Sequence, residues 1–203
     1  MIESCGIGKN MAQSSRIGTA AAVPQPSSGV EQLLLVDEDD RVVGVEEKLA
    51  AHRSGALHRA FSVLIYDERG RWLLQRRSPG KYHSGGLWTN AACGHPRPHE
   101  TTAAAAARRL FEELRFVCPL TFVTKVHYRS PLDHGLTEHE LVSVFTGTYE
   151  GPIDPDPLEA DAVRWIEPEA LVRDMAGHPG RYTVWFKKYV AELWPALGRA
   201  RAP

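Results

Sequence analysis

Cysteine is scarce in this chain, and where it falls excludes more than how often. The 203 residues hold 3 cysteines, Cys5, Cys93 and Cys118. The number is odd and none forms a CxxC pair, which argues against a disulfide framework or a four-cysteine zinc site and for a reducing, cytoplasmic setting. Long apolar runs are missing as well: none approaches the roughly 18 to 20 residues of a membrane span, so no membrane insertion is expected. Residues 1–30 lack the basic start and apolar core of a secretory signal. Charge of one sign is also wanting, with 24 basic against 25 acidic side chains. Without a lysine or arginine run, nucleic acid is not an expected partner. No internal repeat is found.

What remains suits one domain large enough to bury a core and a cavity. Residues 1–30, rich in Ser, Ala, Gly and Pro, read as a disordered tail in which Met11 offers an alternative start. A single catalytic domain is expected over 31–197, with a short tail at 198–203. Residues 32–37 and 41–45 read as a hairpin about the turn Glu38-Asp39-Asp40, and 46–53 as a short helix carrying Lys48 and His52 on one face. Strands at 58–66 and 72–76 make a second hairpin, followed by a loop at 77–86. Later strands are expected at 120–129 and 138–149, joined by a turn at 130–135, and at 162–166 after a proline-rich loop at 151–157. Helices follow at 168–175 and 182–197, the last interrupted near Pro195. Hairpins interspersed with helices indicate an α/β (α+β) sandwich, a mixed sheet flanked by helices.

The organising stretch is Leu87 to Phe116, LWTNAACGHPRPHETTAAAAARRLFEELRF. Cys93 and His95 flank Gly94 before Pro96, so the chain there is extended or turning and the two side chains can reach one site. Thr101 or Thr102 caps a helix that begins in alanine and continues through Leu114. Arg109 and Glu113 share a face of it at i,i+4 spacing.

Five side chains suit a divalent metal: His52, His58, His95, Glu138 and Glu140. A lone histidine is more often a satisfied or surface side chain. Glu138 and Glu140 carry more weight, because i,i+2 spacing on a strand points both carboxylates to one face, where a cation or solvent must relieve their repulsion. A solvated rim is the competing reading. Cys93, beside a glycine and a histidine, suits a thiol acid or base, against an inert buried cysteine. Arg76, Arg77 and Lys81 precede the glycine-rich loop and could hold an anion with Lys48 and Arg109, against ordinary solvated charges. Trp88, Tyr128 and Trp185 read as core aromatics.

The central stretch resembles a Nudix box, G-x5-E-x7-R-E-U-x-E-E-x-G-U, with Gly94, Glu100, Arg108, Leu110, Glu112, Glu113 and Phe116 in register. It departs at Arg109 and Arg115, where that pattern has Glu and Gly. The run WTNAACGHP looks like the signature of type 1 isopentenyl-diphosphate Δ-isomerases, a branch of the Nudix superfamily. So do EKLAAH (47–52), LHRAFS (57–62), RR…K (76–81), HYR (127–129), TEHE (137–140) and the closing helix with Trp185, together covering about residues 31–195. The resemblance implies a Nudix-like fold and isomerisation of isopentenyl diphosphate to dimethylallyl diphosphate. It implies a divalent metal, Mn2+, Mg2+ or Zn2+, held by His52, His58, His95, Glu138 and Glu140, with Cys93 and Glu140 as the acid/base pair. A second ion, Mg2+, would arrive with the diphosphate at Glu113 and the Cys93 carbonyl. By the same likeness Lys48, Arg77, Lys81 and Arg109 bind the diphosphate, Tyr128 hydrogen-bonds near the acid, and Trp185 faces the hydrocarbon. A monomer or homodimer acting on a small prenyl diphosphate is expected. The alternatives are a Nudix-type pyrophosphohydrolase, another prenyl-diphosphate carbocation reaction, and a non-catalytic diphosphate-binding protein.

Overall fold

A parallel strand pair organises the sheet. In the computed structural model, which describes residues 31–197 and side chains to residue 192, β3 (His58–Tyr66) runs parallel to β8 (Thr137–Thr148), from His58 opposite Glu140 to Tyr66 opposite Thr148. The expected tails at 1–30 and 198–203, and Cys5 with them, lie outside the described residues. With one side of β3 filled by β8, its other side meets three partners in turn. These are β1 (Gln32–Val36) at His58, β6 (Ala92–Gly94) over Phe61 to Val63, and β4 (Trp72–Arg77) at Tyr66. The sheet continues outward through β2 (Val42–Glu47), β5 (Trp88–Thr89), β7 (Thr121–Pro131) and β9 (Ala160–Ile166).

Period-two alternation along β3 feeds two cores. Ala60 and Leu64, with Tyr128 and Val142, pack against α3 (Pro168–Gly177) and α4 (Val184–Leu197) through Leu171, Trp185, Phe186 and Tyr189. Phe61, Val63 and Ile65 face the other way, onto Ala105, Ala106, Leu110 and Leu114 of α2 (Thr102–Leu114). Burying a side chain such as Leu110 or Phe186 contributes about 1.5–3 kcal/mol. The mixed sheet flanked by helices therefore stands as expected.

The caps position the site. α1 (Lys48–Ser54) opens on Glu47, whose carboxylate accepts from the backbone N–H of Leu49 and Ala50, each at 2.9 Å, and closes on Gly55 at φ 68°. α2 opens on Thr101, which accepts from Ala104 N–H at 3.2 Å. It closes on Arg115 in the left-handed region, at φ 60°. That is the box position occupied by glycine in the Nudix pattern. The conformation costs an L-residue about 1–2 kcal/mol, partly offset by the Arg115 to Asp156 ion pair at 2.6 Å.

Several boundaries differ from the sequence expectation. Glu46 and Glu47 belong to β2, because α1 starts only after the Glu47 cap. β7 extends into the expected turn as far as Pro131, opposite Thr137; on this outer strand the missing proline N–H leaves no ladder bond unmade. β9 begins at Ala160, extended by pairing with Arg77 across a bulge. β5 and β6 are strands too short to leave a periodic signal. α4 is not interrupted: it runs past Pro195 to Leu197.

Candidate active site

The strand pair β7 and β8 sets two carboxylates side by side on the face covered by α4. Glu138 and Glu140 are buried, at 5% and 7% exposure, which rules out a solvated rim. The Tyr128 hydroxyl, opposite them on β7, lies 2.9 Å from Glu138 and 2.8 Å from Glu140. A phenol has one proton to donate, so one of the two contacts requires a carboxyl proton in return. Burial, then the charge of Glu140, raises Glu138 well above the usual carboxylate range. Burial opposes ionisation of Glu140 too, but the imidazoles of His58 and His95 beside it outweigh burial and hold Glu140 low. The proton therefore rests on Glu138 and the charge on Glu140, with Tyr128 between them.

Three imidazoles converge on Glu140. His52 comes from α1, His58 from the first position of β3 and His95 from the segment after β6. One ligand atom from each of the four residues falls within 4.8 Å of the others. His52 Nδ1 contacts the Lys48 carbonyl at 2.7 Å and His58 Nδ1 the Ala56 carbonyl at 2.8 Å. A carbonyl accepts only, so it fixes the Nδ1–H tautomer and leaves Nε2 with a lone pair, as metal-bound histidines require. His58 Nε2 is buried without a hydrogen-bond partner, 3.5 Å from Glu140, and a buried unsatisfied nitrogen beside a carboxylate suits an ion. His95 turns Nε2 to Glu140 at 3.1 Å and Nδ1 towards Glu31 at 3.6 Å. Burial holds His52 at a pKa of about 4, hence neutral. The set fits a divalent ion of the Mn2+, Mg2+ or Zn2+ kind. Glu138 stands outside the four-residue cluster, one strand step away.

Cys93 rises from β6, opposite Ser62, on the far side of β3 from Glu140. Burial, then Glu113, pushes its thiol up to about 12, so it is protonated. Its sulfur lies 3.7 Å from Asn90 Oδ1, and Asn90 is held in turn by Ser62, Val63 and Ala92. Cys93, Tyr128, Glu138, Glu140, Trp185 and Tyr189 share a cavity of about 260 Å3 between the sheet and α4. Trp185 stands at its wall with its indole N–H donated to Thr89 at 2.8 Å.

The same cavity opens between cations. Lys48, Arg77, Lys81, His95 and Arg109 line it. Arg76 does not: it turns outward to Asp161 at 2.7 Å. Arg109 pairs with Glu112 and Glu113, each at 2.9 Å, and with Glu159 at 3.1 Å. Burial opposes its charge, yet these carboxylates raise its pKa. Lys48 pairs with Glu31 at 2.9 Å and Lys81 with Glu159. Arg77 spans the two ends. Its guanidinium lies 5.3 Å from the Trp185 ring and donates to the His83 carbonyl at 3.3 Å, while its Nε is buried without a partner. Glu113, buried on α2, accepts from Gln75 at 2.6 Å.

Sequence reasoning missed Glu31, His83, Asn90, Glu159 and Tyr189. His83 is buried between His52 and Trp185, at ring distances of 6.4 and 5.8 Å, and burial, then Arg77, depresses it to about 3. Its neighbours Lys81 and Gly85 marked a loop without marking which side chain turned inward. Asn90 had a usable signal, since a polar residue between Thr89 and two alanines in a buried run needs partners.

A NUDIX domain model matches residues 56–186. Among curated proteins, the isopentenyl-diphosphate Δ-isomerase of Burkholderia multivorans is 49% identical over 156 residues, 77% of this chain and 89% of that protein. The isomerase of Streptomyces coelicolor is 42% identical over 188 residues, 89% of this chain and 94% of its own length. Among solved structures, DR0079 of Deinococcus radiodurans superposes with a TM-score of 0.62 at 21% identity, over 72% of this chain and 90% of its own. A MutT protein of Methanosarcina mazei superposes at 0.57 with 19% identity, over 72% and 96%; these two likenesses concern the fold. The chain is a Nudix-domain protein and belongs to the isopentenyl-diphosphate Δ-isomerase family.

Proposed function

We infer that this chain isomerises isopentenyl diphosphate to dimethylallyl diphosphate through a tertiary carbocation. The reaction protonates the terminal alkene carbon and removes a proton from the carbon on the other side of the cation, so it needs one group to give and another to take. The observation that carries the reading is the pairing of the Cys93 thiol with the Tyr128-linked carboxyls of Glu138 and Glu140 in one cavity, from strands flanking β3. Glu140 works as Cys93's counterpart, and Tyr128, hydrogen-bonded to both carboxyls, holds them in place. Trp185 presents a ring to the cation, worth on the order of 2 kcal/mol when desolvated. A cavity of about 260 Å3 suits a short prenyl chain; drug-sized ligands need about 300–1,000 Å3.

His52, His58, His95 and Glu140, with Glu138 adjacent, would hold the divalent metal, which would fix the Glu140 carboxylate in place and favour its ionised form. Glu113 and the Cys93 carbonyl would meet the magnesium that accompanies the diphosphate, while Lys48, Arg77, Lys81 and Arg109 neutralise its oxygens. Burial of the reacting carbons under α4 excludes the water that would quench a cation. A reducing, cytoplasmic setting keeps Cys93 free for this role.

The test is product analysis of the purified protein with isopentenyl diphosphate and magnesium. Dimethylallyl diphosphate without phosphate release is expected. Phosphate release from nucleoside diphosphate derivatives, with no isomer formed, would replace the reading by pyrophosphate hydrolysis. Arg109 opposes that outcome, because it occupies a Nudix carboxylate position and ties up Glu112 and Glu113.

A further inference from the structure

The cation end of the cavity is almost fully paired by the protein's own carboxylates. Lys48 is held by Glu31, and Arg109 by Glu112 and Glu113. One oxygen of Glu159 holds both Lys81 and Arg109. Arg77 alone of the four has no carboxylate partner among the described residues. A bare diphosphate carries roughly three negative charges at neutral pH. It would find one unpaired cation and a carboxylate in its way. Its magnesium complex, with about one net negative charge, matches that single guanidinium.

Glu159 is built into this position. Its backbone carbonyl accepts from Ser78 N–H at 2.9 Å, in the loop that carries Lys81. Its N–H donates to Asp156 at 2.9 Å, and Asp156 N–H donates to the Glu113 carbonyl at 2.9 Å. The turn is thus fastened to α2 and to the loop after β4, and only the side chain is free to swing. That side chain is 22% exposed and belongs to neither core.

We propose that Glu159 is an internal counter-ion that reserves the diphosphate site for the magnesium complex: it occupies Lys81 and Arg109 and repels any diphosphate whose charge is not already reduced. Glu159 is a specificity-determining residue and takes no proton in the reaction. The proposal rests on the diphosphate reading above and adds a role that reading leaves unassigned.

Calorimetric titration with inorganic pyrophosphate, with and without magnesium, tests it on the wild type, Glu159→Gln and Glu159→Asp. The wild type should bind the magnesium complex well and metal-free pyrophosphate weakly. Glu159→Gln should bind metal-free pyrophosphate about tenfold more tightly, the loss of one competing charged contact, and so narrow the gap between the two forms. Glu159→Asp, which keeps the charge, should stay near the wild type. Metal-free binding by Glu159→Gln that is unchanged or weaker overturns the role of Glu159. A folded wild type that binds neither form refutes the diphosphate site itself, and the proposal with it.

Discussion

The two ends of the cavity solve opposite problems. At the histidine end, backbone carbonyls of Lys48 and Ala56 orient two rings, and a buried nitrogen of His58 is left without a hydrogen-bond partner. At the cation end, Lys48, Lys81 and Arg109 already have carboxylate partners. One end is preorganised and unsatisfied, which suits a resident ion. The other, Arg77 apart, is already paired and must exchange partners, which suits a substrate that comes and goes.

Substitutions should separate the ends by what they change. The largest effect is expected at the reacting groups: Cys93→Ala should lower kcat about 10^3- to 10^4-fold, with thermal unfolding unchanged because Cys93 packs only at the edge of the core. Residual turnover near the parent rate would remove Cys93 from the chemistry. At the histidine end, Glu140→Gln should cost about 10^2- to 10^3-fold in kcat and lower bound metal together; elemental analysis showing full occupancy alongside full activity would contradict its assignment. At the cation end the loss should fall on KM instead. Arg77→Ala should raise KM about 30-fold, some 2 kcal/mol for a charge-assisted hydrogen bond, and change kcat little, as steady-state kinetics would show.

The smallest effect lies outside both ends. Asp174 binds Tyr182, Arg164 and His178, joining α3 to β9 and to the turn before α4. The Tyr182 hydrogen bond, with help from Arg164, lowers its pKa from 3.8 to about 2. A carboxyl held below its unfolded value stabilises the fold above the unfolded pKa and loses that contribution as pH falls through the folded one. Asp174→Asn should therefore lower stability by about 1 kcal/mol at pH 7, after solvent screening. The difference should shrink as pH falls through about 2 and vanish below it. Denaturant melts at the two pH values check it, and a constant difference would assign the effect to geometry rather than charge.

Much of this was readable in the chain because it depended on local rules. The Thr101 cap, the Arg109 to Glu113 spacing and the shared face of Glu138 and Glu140 are short-range consequences of backbone geometry. Burial of Glu138 and Glu140 was not readable, since it depends on α4 closing over a strand more than 40 residues earlier. Nor was the outward turn of Arg76, which Asp161 settles from β9. Glu159 left no trace in any period, because its place comes from a turn fastened to two distant segments. Charges in the sequence suggest an anion site; which of them are already neutralised is decided only by tertiary contact.

Isomerisation in heavy water, followed by proton and deuterium NMR, bears most directly on the opposed thiol and carboxyl. Dimethylallyl diphosphate carrying deuterium in a methyl group is predicted for the wild type, formed at least about 10^2-fold more slowly by Cys93→Ala and Glu140→Gln. Product free of solvent deuterium, or labelled product from either variant at the parent rate, would contradict proton transfer by these two groups.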